Sequence, residues 1–168
     1  MPKSVSGPLV LLDACCLINL LASGRGEEIL SSLPHRFATS RFVAVKEVPA
    51  QLDRLERLIL LDVSSAEEMA DFLRFSAILD EGEASICALA VNRKAVVASD
   101  DRKALRALSM ETPRVPTLQT PELLYAWAHL AKPSRRAVME VLRAVRDRGR
   151  FFPRRDAPRF AWWASFFR

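Results

Sequence analysis

The stretch that decides the fold is LLDACCLINL, residues 11–20. Leu9 to Leu12 read as a short buried strand and Cys15 to Leu21 as a helix stopped by Gly24 and Gly26. Between them stands one carboxylate, Asp13, followed by two adjacent cysteines. A strand that passes directly into a helix is the opening of a parallel α/β unit. An acid at that junction is either a helix cap or part of a site.

The same alternation continues along the chain. Glu27 to Leu33 is expected to be a short helix, Phe37 to Ser40 a strand, and Arg41 to Leu58 helical, with Pro49 in a first turn or at a kink. Ile59 to Val63 reads as a strand, and Ser64 with Glu67 as the capping box of a helix from Ser65 to Phe75. Asp80 and Glu83 repeat that spacing before Ala84 to Val91, a helix apolar nearly all round and so expected to be buried. Ala95 to Ala98 is the next strand, then a helix from Arg102 to Leu108, a last strand at Val115 to Leu118, and helices over Pro121–Ala131 and Ser134–Arg148. The order predicts a three-layer α/β/α sandwich with a mainly parallel sheet. The expected organisation is a domain over residues 1–148 with a tail, 149–168, rich in arginine and aromatics.

Composition narrows the class. Half of the 168 residues are hydrophobic and about a quarter charged, ordinary globular usage. No window reaches the ~18 apolar residues of a membrane span and no signal-peptide cleavage site stands out, so a soluble cytoplasmic protein is expected. Three cysteines, two of them neighbours, support neither a disulfide framework nor a CxxC metal site. The net charge is +5, and ten arginines against three acids follow Lys132. That basic end suits either a polyanion or acidic partner, or no more than a solubilising surface.

Three acids stand out by position: Asp13 after the first strand, Glu83 at the start of the most buried helix, and Asp101, with Asp100 before it, after AVVAS. In a parallel sheet the strand C-termini share one edge, where ligands bind in open α/β folds. Each acid taken singly reads as a cap, because helix N-termini attract carboxylates. Taken together they repel, since two unit charges about 4 Å apart cost about 4 kcal/mol at an effective dielectric of 20. A positive partner is needed, and an all-oxygen donor set favours a hard cation, Mg²⁺ or Mn²⁺. Glu47, within VAVKEVPAQL, is a fourth candidate, with a solvated ion-paired position as its plain alternative. His35 and His129 lie outside these motifs.

Four segments in order, LLDACCLINLLA, VKEVPAQL, LDEGEASICALA and VVASDDRKALRAL, resemble the PIN-domain nucleases, and within them the VapC-type toxin ribonucleases. They span most of residues 9–125. The resemblance implies an acidic pocket of Asp13, Glu47, Glu83 and Asp101 that binds one or two Mg²⁺ or Mn²⁺ ions and hydrolyses RNA phosphodiester bonds. Asp13, Glu83 and Asp101 are the expected metal ligands, with Asp100 as a neighbouring candidate and Glu47 ordering water or a second ion. Ser99 falls on the family's hydroxyl position, whereas Cys15 replaces a small hydroxyl residue and so removes a possible contact. A small antitoxin partner and a homodimer are further implications. Arg41, Lys46, Arg102 and Lys103 flank the motifs and are candidates for holding neighbouring phosphates. The aromatic tail is expected to pack on its own domain or on a partner. Two other readings are a phosphotransfer domain, disfavoured because no DxD follows the first strand, and an inactive PIN-like module that binds RNA or protein.

Overall fold

A strand buried on both faces needs neighbours on both sides, and Val10, Leu11 and Leu12 are fully buried. In the computed structural model, which describes residues 7–48 and 51–168, this strand, β1 (Leu9–Leu12), lies at the centre of a five-stranded, all-parallel sheet. The others are β2 (Arg36–Ser40), β3 (Ile59–Leu61), β4 (Val96–Ala98) and β5 (Thr117–Leu118), in the order β3-β2-β1-β4-β5. Val10 stands opposite Phe37 on one side and Val96 on the other. The chain therefore builds outward from β1 in one direction and then in the other. That reversal leaves a crevice beyond the C-terminal ends of β1 and β4, the place where such sheets bind ligands.

Helices α1 (Ala14–Ala22), α2 (Gly26–Ser32), α3 (Ala66–Ser76), α4 (Glu81–Arg93), α5 (Arg102–Glu111), α6 (Thr120–Leu130), α7 (Arg135–Arg148) and α8 (Phe160–Ala164) flank the sheet. Helix α4 packs against α3 and against β1, β2 and β4. Every residue from Ala84 to Ala90 is buried, as its apolar circumference predicts. A second group joins α1 to α2 and α7, and α6 to α2 and α8. Among the described residues no helix is long and apolar enough to cross a membrane.

Two expectations need correction. The helix foreseen from Arg41 to Leu58 is instead a tight π-helical turn, Val43–Glu47, and a 3₁₀ turn, Leu52–Arg54. Pro49 lies outside the described residues. The π turn closes with the Val48 N–H donating to the Val43 carbonyl at 3.0 Å. The capping box before α3 sits one residue later than expected, with Ser65 as cap and Glu68 returning the bond.

The tail packs on its own domain. Trp163 is fully buried and meets Phe151 and Phe152 edge to face. Arg135, Arg146 and Arg159 lie over the rings of Phe166, Phe167 and Tyr125. The loss of periodicity after Gly149 reflects aromatic packing around one short helix.

Candidate active site

Asp13 leaves β1 with its N–H still donating to the Ala98 carbonyl at 3.1 Å, so the sheet ladder holds its backbone. Its Oδ1 accepts from the Cys16 N–H at 3.0 Å and from the Cys15 thiol at 2.8 Å. Asp13 is thus the N-cap of α1, with Oδ2 taking no part in the cap. The Cys15 thiol supplies a contact to the carboxylate where the sequence suggested one was lost. Asp13 is only 5% exposed, and burial pushes its carboxyl up to about 6, against the opposing hydrogen bonds from Cys15, Cys16 and Ser99.

Glu83 stands in the first turn of α4. Asp80 caps that helix, its Oδ1 accepting from the Glu83 N–H at 2.9 Å. The reciprocal bond expected of a capping box is not among those formed by the described residues, so the Glu83 carboxylate is not spent on the cap. It is half-buried, and its carboxyl is pushed up to about 7, first by burial and then by the charges of Asp80, Asp101 and Asp13.

Glu47 reaches the same place from the π turn. The Ser85 hydroxyl lies 2.6 Å from Ser40 Oγ and 2.7 Å from the Gly82 carbonyl, while Ser40 Oγ accepts from the Val43 N–H at 3.1 Å. This link sets the turn over the start of α4. The Glu47 carboxylate then lies against Gly82, with Oε1 1.7 Å from where a Cβ would stand. Glu47 is exposed as a whole, yet partial desolvation of its carboxyl raises it, and the Asp80 and Asp13 charges raise it further. Gly82 and Ser85 escaped the sequence reading. A glycine in a helical turn costs about 0.5–1 kcal/mol relative to alanine, and that cost was the signal of a close approach.

After β4 the two aspartates diverge. Asp101 caps α5, its Oδ1 accepting from the Ala104 N–H at 2.9 Å, and its charge reaches Glu83. Asp100 instead accepts from the Thr120 N–H at 2.9 Å and the Thr120 hydroxyl at 2.5 Å. It also accepts from Asn19 Nδ2 at 3.1 Å and the Cys16 thiol at 3.7 Å. Three of these four donors fall on Oδ2 and one on Oδ1, and together they tie β4 to α1 and α6. A ligating role for Asp100 would fall to Oδ1, which accepts from the Thr120 N–H alone.

The sheet edge therefore brings Asp13, Glu47, Glu83 and Asp101 into one electrostatic cluster, with Asp80 beside them. None of the five forms an ion pair among the described residues, while Lys46 and Arg41 are paired elsewhere, to Glu81 and Asp62. The cluster is open rather than tight. The one trio of ligand-type atoms within 4.8 Å of one another, among the described residues, is Asp13, Cys15 and Cys16. Three carboxylates around one bare Mg²⁺ would need oxygens about 2.0–2.1 Å from the ion, closer together than these stand. Mg²⁺ ordinarily keeps several waters and takes one or two carboxylates, and a hydrated ion suits a half-open set of carboxylates without basic partners, with the two thiols confined to the Asp13 side.

A more voluminous cleft, about 590 Å³, lies at the opposite end of the sheet, between the end of α4 and the 111–116 segment. It holds none of the four acids. His35 has its Nδ1 buried without a partner among the described residues, and His129 stacks on Tyr125. Comparison with family models, with curated proteins and with solved structures gives no match.

Proposed function

We propose that this chain is a metal-dependent endoribonuclease of PIN type that hydrolyses RNA phosphodiester bonds at the acidic edge of its sheet. The observation that carries the reading is the convergence of Asp13, Glu47, Glu83 and Asp101 without a single basic partner among the described residues, at the switch point of a parallel sheet. Asp13 and Asp101 would hold Mg²⁺ or Mn²⁺ with their uncapped oxygens. When bound, the ion would neutralise the carboxylates, attract the phosphodiester anion and make water nucleophilic near neutral pH.

The chain's own residues do the rest. Caps on α1 and α5 fix the first and last acids on rigid elements. Glu83, whose carboxyl stands near neutrality in the metal-free protein, is suited to hold or accept the proton of the attacking water. Glu47, seated on Gly82, orients that water. The role of a VapC-type toxin, restrained by a small antitoxin and forming a homodimer in the cytoplasm, is carried by the resemblance alone.

The test is incubation with structured and single-stranded RNA in Mn²⁺ or Mg²⁺, then in EDTA, beside Asp13→Asn and Asp101→Asn. The expected result is cleavage that EDTA and either variant abolish. Cleavage unchanged in both variants sinks the mechanism. Tight RNA or protein binding with no cleavage would favour the inactive-module reading.

A further inference from the structure

An acidic centre attracts a cation but repels an RNA backbone, so basic side chains beside it must hold the strand. Two flanks offer them. On the β2/β3 flank, Arg41 and Lys46 line a groove with Phe42 and Val45. Each cation there has an acid in direct contact, Arg41 with Asp62 at 2.8 Å and Lys46 with Glu81 at 2.7 Å, although these pairs too are exposed.

The β4/β5 flank is different. There Arg102, Gln119, Phe151 and Arg154 line a cleft of about 80 Å³ with Asp100 and Asp156. That volume is several times the roughly 10–15 Å³ one water requires, so there is room for a phosphate group. Arg154 has no acidic partner among the described residues, and Arg102 has only Asp156, at 4.0 Å with both side chains largely exposed. An exposed pair of that kind contributes about 0–1 kcal/mol, little resistance to a competing phosphate. Asp100 also lines the cleft, its Oδ2 taken by Thr120, Asn19 and Cys16 and its Oδ1 by the Thr120 N–H alone, so the two arginines must outweigh its charge as well as that of Asp156.

We propose that this cleft is a phosphate-binding subsite for single-stranded RNA, so that the substrate backbone crosses the β4/β5 flank of the acidic centre and not the β2/β3 flank. The proposal rests on the nuclease reading for its substrate. Arg102 directly follows Asp101, which places the subsite next to the proposed scissile position. Arg154 is delivered by a segment that the tail makes firm, with Pro153 buried and Phe152 against Phe160, Trp163 and Phe167. Two guanidinium forks from separate parts of the chain can embrace one phosphate. This gives the aromatic tail a purpose beyond burial: it holds Arg154 at the site.

The experiment compares Arg102→Gln/Arg154→Gln with Arg41→Gln/Lys46→Gln. Binding of a short fluorescent single-stranded RNA is followed by anisotropy in EDTA across a salt series, and cleavage kinetics are measured separately in Mn²⁺. The first pair is expected to weaken binding about tenfold or more and to lower the salt slope by about 0.7, the value for one phosphate on a single strand. It should also raise KM, and both effects should exceed those of the second pair. Restoration by Arg154→Lys of part of the loss, with unchanged melting temperatures, excludes a folding effect. Wild-type cleavage with an unaltered KM in Arg102→Gln/Arg154→Gln, or equal losses in both pairs, overturns the subsite and leaves the nuclease reading standing. Binding that depends on Arg102 and Arg154 but never leads to cleavage supports the subsite and overturns the nuclease reading.

Discussion

Replacing Asp13 by asparagine is expected to make the metal-free protein more stable. Asp13 is 5% exposed, and its carboxyl is pushed up to about 6 from an ordinary value of 3.8, chiefly because burial disfavours the charge. A difference of about two pH units corresponds to about 3 kcal/mol by which the ionised group burdens the fold at neutral pH. The sign follows from the direction of the shift. A carboxyl raised in the folded state favours folding while it is protonated, below about 4, and that contribution is lost as pH rises through about 6.

Asparagine keeps the acceptor that caps α1, and it ranks with aspartate as an N-cap. Its new NH₂ must find acceptors among neighbouring carboxylates, which offsets part of the gain and leaves about 1–2 kcal/mol. For a chain of this length that is an increase of about 2–8 °C in melting temperature. Calorimetry in EDTA from about pH 4 to 8 should show the variant's advantage widening with pH and vanishing at the acid end. Adding Mn²⁺ should raise the wild type and leave the variant unchanged. A variant less stable than wild type by the same amount at every pH would refute the burden assigned to this charge. Equal stabilisation of both proteins by Mn²⁺ would refute its role as a ligand.

Two further outcomes follow from the same geometry. Gly82→Ala places a methyl where the Glu47 carboxylate now lies; because that carboxylate ends a flexible side chain, the fold should persist while cleavage falls about 10–100-fold, as when an outer-shell partner is lost, and activity equal to wild type would show that Glu47 is idle. Metal affinity should rise with pH and level off above about 7, because the ion competes with protons at Asp13 (about 6) and Glu83 (about 7). Calorimetric titration in buffers of different ionisation enthalpy should show protons released at the acid end alone, and affinity flat across that interval would contradict the raised carboxyls.

The parallel sheet was legible because Leu9–Leu12 and Ala95–Ala98 are short apolar runs, and Phe37–Ser40 a short β-compatible one, joined by helical stretches. Their strands appear within a residue of expectation. What periodicity could not show was the path from Arg41 to Leu58. Its apolar residues fit a helix, but the Ser40–Ser85 link between elements 45 residues apart settles the turn there instead. The same limit hid Gly82, whose meaning depends on a carboxylate that arrives from that turn. Asp100 and Asp101 were inseparable by position in the sequence. Thr120, twenty residues on, separates them by drawing Asp100 to α6.

The caps explain why the acids are where they are, and magnitudes show why caps are an incomplete explanation. Asp13 and Asp101 sit at helix N-caps and Glu83 in a first turn, so three helix ends favour negative charge at the sheet edge. Each such dipole is worth about 0.3–1 kcal/mol. The burden of ionising Asp13 alone is about 3 kcal/mol by the same linkage that fixes its raised carboxyl, and that figure already includes the help of its cap. Helix ends therefore reduce the electrostatic cost of the cluster without removing it. Among the described residues no lysine or arginine pairs with the cluster to remove the remainder. A cation that binds between the carboxylates would convert that residual strain into affinity, and stability in its absence would be sacrificed for binding in its presence. The cysteines after Asp13 fit this balance: the Cys15 thiol donates one bond to Oδ1, enough to orient the carboxylate, without the full positive charge that would compete with an ion for it.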